Sequence, residues 1–375
     1  MIRTLDDKKH IEIKEKINLI AEGQKQELHD TWHNRSWPEQ SWNKFVQNQF
    51  IFEDNSSVIQ NLTNTFSALE GWARGTGDSS FCTSLIVHYL LCRPIIDKHF
   101  PDYHMEHGSI TCFALTERSG GSTPLHMSVS MDSHLNLVNG EKWHITNAPV
   151  CDHFLVFGKD KNSDQLAMAI VPADQEGIEI ETLYPEGLKN SPVGRIVFKN
   201  AYASHIIVST SKVQNAIKDA FQAERLAIGF VSTGIIEHHL HKLVSYLRKR
   251  TVGGTRIIKH QYLQKRLTDI KISLETLKSL INCTIRSIQR GDDISAQASK
   301  IKILGIDLVK NFAEQAMKCY GSYGVQKELG LMQILNDSMC ASIAGGTEEI
   351  HRNVIFSYLL RESIQEKKST LAYIN

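Results

Sequence analysis

Apolar residues along this chain follow three regimes. From about residue 8 to about 105 they recur at mixed threes and fours, as in IEIKEKINLIAEG and SSFCTSLIVHYLLCRPIID, the period of helices that bury one face. Between roughly 111 and 208 the texture turns to alternation and short β-branched runs such as TCFALTE, KWHITNAPVCDHFLVFG and GRIVFKNAYASHIIV. Turn dipeptides at Asn139-Gly140 and Glu186-Gly187 punctuate them, which predicts an antiparallel sheet or small barrel. From about 213 the helical period returns in long segments. Leu263, Leu267, Ile270, Leu274, Leu277 and Ile281 form a seam for packing on other helices, and Gly291-Asp292-Asp293 ends it. A further helix, about 298 to 319, is expected to carry Leu304, Leu308, Phe312 and Ala316 on one face. The order predicts an α+β fold: an N-terminal helical domain (1–110), a middle antiparallel β-domain (111–208) and a C-terminal four-helix bundle domain (209–375). A sheet between two helical halves leaves clefts at the junctions, where ligands tend to bind.

Composition narrows the field. The 375 residues are 41% hydrophobic and 22% charged, enough to bury a sizeable core. Lys+Arg 42 against Asp+Glu 41 gives a charge of +1, which excludes an extended nucleic-acid surface but not a local phosphate site. No apolar run is long enough to span a membrane, and the opening MIRTLDDKKHIEIKEK lacks a signal core. Seven scattered cysteines without a CxxC pair argue against disulfides or structural zinc and fit a reducing cytosol, so a cytoplasmic protein is expected. His238, His239 and His241 miss the spacing of a helical metal site and are expected to be solvated surface residues.

Two short stretches carry candidate chemistry. FALTERSGGS (113–122) joins an alternating strand to a Gly-rich turn, where Gly120 and Gly121 let backbone amides approach an anion and Thr116 and Ser122 add hydroxyls. NGEKWHITNA (139–148) reads as a hairpin turn feeding a strand that ends in an aromatic pair and a threonine. Taken alone, the first is a tight loop, and in the second Trp143 is a core ring and Thr146 a strand-end hydroxyl.

Their order and spacing resemble the acyl-CoA dehydrogenase family. FALTERSGGS is similar to that family's ALTEPxAGSD, and NGEKWHITNA to its NGxKxxITN. GLKNSPVGRIVFKN (187–200) resembles the strand pair before the C-terminal helices, and Arg250 with VGGTRIIKHQ (252–261) resembles RxxFGxxLxxxQ. YGSYG (320–324) resembles GGxGY, and GGTEEIHRNVI (345–355) resembles EGTxxIQRxxI. The resemblance runs collinearly from about 105 to 360. It implies an FAD enzyme, a homo-oligomer arranged as a dimer of dimers, acting on an acyl thioester. By position, Phe113, Leu115, Thr116, Gly121 and Ser122 would line flavin and thioester. Ile145 and Thr146 would reach the isoalloxazine edge, with Thr146 towards N5, and His144 stands where the family has an aromatic residue on the flavin. Arg250, His260 and Gln261 would contact the diphosphate and adenosine of a neighbouring subunit's FAD, while Gly321, Thr347 and Glu349 fall at further cofactor positions. An arginine suits a diphosphate because its donor fork is fixed and permanently charged.

The chemistry removes an α-proton from the thioester while hydride leaves the β-carbon for flavin N5. It needs a carboxylate near the α-carbon, in a largely dry pocket that raises its pKa. Most family members place that glutamate just before the Gly-Thr of the C-terminal motif, where this chain has Gly345. The isovaleryl- and long-chain-type enzymes have glycine there and a glutamate in an ERL-like run on the first long C-terminal helix. AERLAIG (223–229) places Glu224 at that position, followed by Arg225. The alternative is a surface Glu224 paired with Lys218 or Arg225; loss at 345 together with gain at 224 favours the base. Ser122, Arg225, Gly345 and Gly346 are the expected thioester contacts, the Gly345 amide joining an FAD ribityl hydroxyl in an oxyanion site. Glu348 is expected to start a helix in solvent, and Glu117 to be structural.

Gly253, Lys318 and Ser322 depart from the family pattern, and VGG resembles the branch acting on carrier-protein thioesters in natural-product biosynthesis. CoA and carrier protein present the same phosphopantetheine arm, so either carrier fits, with an electron-transfer flavoprotein or O2 as acceptor. Two rivals remain: a flavin-dependent oxygenase on the same fold, and a non-catalytic scaffold that has lost FAD, which the departures at His144, Gly253, Lys318 and Ser322 suggest.

Overall fold

The computed structural model describes residues 8–47, 58–122 and 126–374. The first helices are α1 (Lys8–Glu22), α2 (Lys25–Asn34), α3 (Glu39–Val46), α4 (Val58–Thr76), α5 (Ser80–Ile86) and α6 (Arg93–His99). Ile13, Ile17 and Ala21, four residues apart, bury one stripe of α1. That stripe lies close on α4, since a Cβ on Gly71 would stand 2.4 Å from the Lys14 carbonyl and one on Gly75 2.6 Å from that of Asn18. A π-helical turn, Val87–Cys92, joins α5 to α6 just before Pro94, which has no amide to complete an α-turn.

The middle region is an eight-stranded sheet: β1 (Thr111–Ala114), β2 (Ser130–Asp132), β3 (Leu137–Thr146), β4 (His153–Asp160), β5 (Leu166–Pro172), β6 (Ile178–Leu183), β7 (Val193–Tyr202) and β8 (His205–Val208). The spatial order is β6-β7-β3-β2-β4-β5-β8, with β1 also on β4. Two pairings depart from the antiparallel expectation. β1 and β2 both run parallel to β4, one after the other along the same edge, at His153–Val156 and at Lys159–Asp160. The chain between them must leave that edge, so the Thr116–Ser122 turn projects from the sheet. Asn139-Gly140 is not a hairpin turn either. It lies within β3 at a register shift, where Gly140 has φ +127° and Asn139 bonds Asn200; the reversal comes earlier, between Asp132 and Leu137.

The third region begins with α7 (Thr210–Lys249), N-capped by Ser209, and a two-stranded hairpin, β9 (Thr251–Val252) with β10 (Thr255–Arg256). Then come α8 (Gln261–Arg290), α9 (Ser295–Tyr320), α10 (Leu331–Ala341) and α11 (Glu348–Ile374). The α8 seam is buried except that Leu267 is half-exposed, and Gly291 ends the helix at φ +78°. On α9, Leu308, Phe312 and Ala316 are buried but Leu304 is exposed. Steps of four drift about 40° around a helix each time, and Leu304 is where that drift leaves the core. His238 and His239 are likewise not solvated. They are buried where α7 meets the α4–α5 junction, hydrogen-bonded to the Arg74 and Gly77 carbonyls at 2.7 and 3.3 Å, and burial pushes both imidazoles to low pKa.

A buried polar clasp joins the three regions. Asp337 of α10 accepts from Trp32 Nε1 of α2 at 3.1 Å, the Leu188 amide at 2.6 Å and Ser79 Oγ at 3.1 Å. Asp78 accepts from Asn190 Nδ2 at 3.0 Å and Gln333 Nε2 at 2.7 Å. Desolvation raises both carboxyls, Asp78 to about 6 and Asp337 to about 7, with the Asp78 charge adding to the cost of ionising Asp337.

Candidate functional site

Glu224 lies fourteen residues into the 40-residue α7, on the face that carries Ala227 and Val231 in the core. It is 8% exposed, and its Oε2 finds no hydrogen-bond partner among the described residues. Lys218 is exposed, so the surface pairing weighed above is not what α7 builds. Across from Glu224 the chain between α10 and α11 passes through Gly345 (φ +61°) and Gly346 (φ +101°). A Cβ on Gly345 would lie 1.9 and 2.2 Å from the two Glu224 carboxylate oxygens. The carboxylate therefore fills the space into which a side chain at 345 would project. Arg225 is also buried, its guanidinium 5.9 Å from the Phe221 ring, and desolvation lowers its pKa although Glu224 opposes the shift.

Two residues outside the sequence expectations complete this corner. Lys302 of α9 is 1% exposed and donates to the Ala344 carbonyl and, at 3.4 Å, to that of Gly346. Burial lowers it to about 8, against the attraction of Glu224. His351 of α11 bonds the Gly346 carbonyl through Nε2 at 2.9 Å, and burial pushes it down to about 3. One signal was available for Lys302: it lies between Ala298, Ile301 and Gly305 in an apolar stripe that a solvated lysine would not occupy. His351 had none beyond its motif.

Strand β1 reaches α7 one turn before Glu224, with the Phe113 ring 6.1 Å from that of Phe221. Thr116 is half-buried and packs 3.3 Å from where a Cβ on Gly121 would be. Its carbonyl accepts the Trp143 amide at 2.9 Å, bringing the 113–122 and 139–148 segments side by side. Lys142, 0% exposed, locks them: its ammonium bonds the Leu115 carbonyl at 2.9 Å and Glu117 at 2.8 Å. Glu117 in turn takes the Ser128 and Val129 amides at 2.7 and 3.0 Å, so it is structural. Leu115 and Ile145 are buried, Thr146 is half-buried and Ser122 exposed. His144 sits at a second register shift with φ +55° and is exposed. Asn147 anchors the strand end by donating to the Ser84 and Thr111 carbonyls, both at 3.1 Å.

Other candidates lie elsewhere. Arg250, His260 and Gln261 follow the far end of α7, 26 residues beyond Glu224 and so about 39 Å away along one helix. Gly321 is at that end too, where Tyr246 and Tyr320 meet with centroids 4.6 Å apart. Within one chain these residues do not join the Glu224 site. Thr347 precedes α11. Glu349 is exposed and held below the usual carboxylate range chiefly by a hydrogen bond from Thr347, while Glu348 opens α11 and pairs with Arg352. Deeper along the Glu224 face, Ile228, Val231 and Ile235 line a cavity of about 40 Å³ with Ile306 and Val309 of α9 and the buried Asp337. Among the described residues no group of His, Cys, Asp and Glu could hold a metal, and no helix is long and apolar enough to cross a membrane.

The sequence profile of the acyl-CoA dehydrogenase middle domain matches residues 112–201, and that of the acyl-CoA dehydrogenase C-terminal domain matches residues 214–360, together more than half of the chain. The chain belongs to the acyl-CoA dehydrogenase superfamily. Among its relatives is a 3-(aryl)acrylate reductase of Clostridium sporogenes, 26% identical over 259 residues, covering 66% of this chain and 68% of the relative. Solved structures share the fold throughout. PigA in complex with FAD superposes with a TM-score of 0.83 at 21% identity, covering 94% of this chain and 98% of PigA. The prolyl acyl carrier protein oxidase AnaB superposes with a TM-score of 0.81 at 19% identity, covering 94% and 99%. The helical, sheet and helical-bundle layers are those of the acyl-CoA dehydrogenase fold.

Proposed function

We propose that this protein is an FAD-dependent oxidoreductase that converts an acyl thioester to its α,β-unsaturated product, with Glu224 as the base. The observation that carries this reading is the buried Glu224 carboxylate, unpartnered at Oε2 and filling the space that a side chain at 345 would take. A carboxylate held dry and without a counter-donor is poised to accept a proton from carbon.

The residues present fit an FAD. The Thr116 and Thr146 hydroxyls lie on neighbouring segments, joined by the Trp143 amide to Thr116 carbonyl hydrogen bond. The β9–β10 hairpin, exposed throughout, leaves open space beyond Gly253 and Gly254 beside Arg250 and Arg256, as a diphosphate requires. Thr116, Thr146, Ile145, Gly121 and Phe113 would hold the ring system, and Arg250, His260 and Gln261 the diphosphate of a neighbouring protomer. Bound FAD supplies the two-electron acceptor for the β-hydride. Glu224 takes the α-proton and the Gly345 amide donates to the thioester oxygen as negative charge gathers there. The small cavity further along α7, where isoleucines and valines mix with Ser79, Thr83, Ser232 and Ser338, has room for no more than a short acyl group, carried on CoA or a carrier protein. Phe356, Leu359, Leu360 and Ile364, exposed on one face of α11, support a homo-oligomer, in which Arg250 would also find its cofactor.

The test is anaerobic titration of the flavin-loaded protein with short acyl thioesters, on CoA and on a carrier protein. Wild type should bleach, whereas Glu224→Gln should bind flavin and thioester yet reduce at least about 10³-fold more slowly. Equal reduction by the variant would remove Glu224 from the mechanism.

A further inference from the structure

A lysine with almost no exposure, set in an apolar helical stripe, needs a reason to be there. Lys302 spends its donors on the main chain on either side of Gly345, at the Ala344 and Gly346 carbonyls. Peptide planarity gives the first of these contacts a directional consequence. The Ala344 carbonyl and the Gly345 amide belong to one trans peptide, so drawing the oxygen towards Lys302 turns the N–H to the opposite side. Among the described residues no backbone carbonyl takes up that N–H. His351 also bonds the Gly346 carbonyl at 2.9 Å, so the two glycines, both at positive φ, lie between two held peptides.

We propose that Lys302 is a positioning residue of the thioester site: by holding the Ala344 and Gly346 carbonyls it aims the Gly345 amide at the thioester oxygen. This rests on the dehydrogenation reading above. The charged and titratable groups around Lys302 are Glu224 and Arg225 from α7, Asp307 and Lys310 on its own helix, and Glu348 and His351 from α11. Glu224 is the carboxylate whose charge acts on the ammonium, and Arg225 works against it. Removing the ammonium releases the Ala344 peptide.

The experiment compares flavin-loaded wild type, Lys302→Met and Lys302→Arg by two readouts. The first is single-turnover flavin reduction, with the thioester dissociation constant measured separately. The second needs no turnover: the infrared carbonyl stretch of a bound thioester, which a hydrogen bond from the Gly345 amide lowers. Lys302→Met should reduce flavin about 10²–10³-fold more slowly while binding thioester within about tenfold. Its bound thioester should show the carbonyl stretch shifted back towards that of the free thioester. Lys302→Arg should keep the stretch near its wild-type position. A folded Lys302→Met with an unmoved carbonyl stretch and a rate within about threefold of wild type would overturn the proposal. If Lys302→Met does not fold, Lys302→Gln replaces it under the same criteria. Should no thioester reduce the wild-type flavin, the dehydrogenation reading fails by itself, and an unmoved carbonyl stretch would still refute the role of Lys302.

Discussion

Gly345→Ala tests the geometry of the site with one methyl group. Two costs follow from the structure. Alanine at φ +61° carries about 1–2 kcal/mol of backbone strain. Its Cβ would also stand 1.9 Å from a Glu224 oxygen, so the carboxylate must retreat by about 1.5 Å to reach ordinary contact. Because the moving group is the end of a glutamate side chain, most of the second cost falls on chemistry, not on folding. Displacing a catalytic group by about 1 Å can slow a reaction about 10²-fold, or about 2.7 kcal/mol in the barrier. The variant should therefore lose only about 1–2 kcal/mol by urea unfolding, keep its flavin, and reduce it about 10²-fold more slowly in stopped flow. In a Glu224→Ala background the same substitution should cost only the strain, so the two changes should not add. A Gly345→Ala protein that reduces flavin at the wild-type rate would refute the reasoning, since the carboxylate could then move without consequence.

Two further outcomes test how the fold supports the site. Lys142→Met strips a buried carboxylate of its counter-ion and releases the Leu115 carbonyl; it should lower the unfolding free energy by about 3–5 kcal/mol and weaken flavin retention, and a change below about 1 kcal/mol would show the pair to be dispensable. Asp337 has a folded pKa raised to about 7 from an ordinary 3.8, so between those values the native chain holds a proton that the unfolded chain has lost, and stability must fall as pH rises through the window. Asp337→Asn should flatten that fall by about 3 kcal/mol between pH 4 and 8, measured by urea unfolding at each pH; an unchanged slope would place the raised pKa elsewhere.

Periodicity made the architecture legible because it reports which residues share a face. The α8 seam and the alternation of the middle region needed nothing more. It fails where the answer depends on what another segment brings. Leu304 fits its series of fours but drifts off the core, and His238 and His239 look polar until α4 and α5 cover them. β1 and β2 run parallel to β4 because both dock on one edge, a fact of topology that no local alternation encodes. The site divides in the same way. The motif resemblance singled out Glu224 and Gly345, and the structure puts a carboxylate on the one into the space beside the other. Lys302 stayed hidden because its role is to hold main-chain carbonyls some forty residues away, which no motif spells out.

The 40 unbroken residues of α7 act as a ruler. Glu224 stands more than a third of the way along it and Arg250 caps its C-terminal end, so their separation and relative orientation are fixed by residue count alone. Deleting one residue between them would shorten the rod by about 1.5 Å and swing one end about 100° against the other. Side chains along α7 can be exchanged one at a time, but its length cannot be adjusted gradually. Only insertions near a whole number of turns would keep both ends facing as they do.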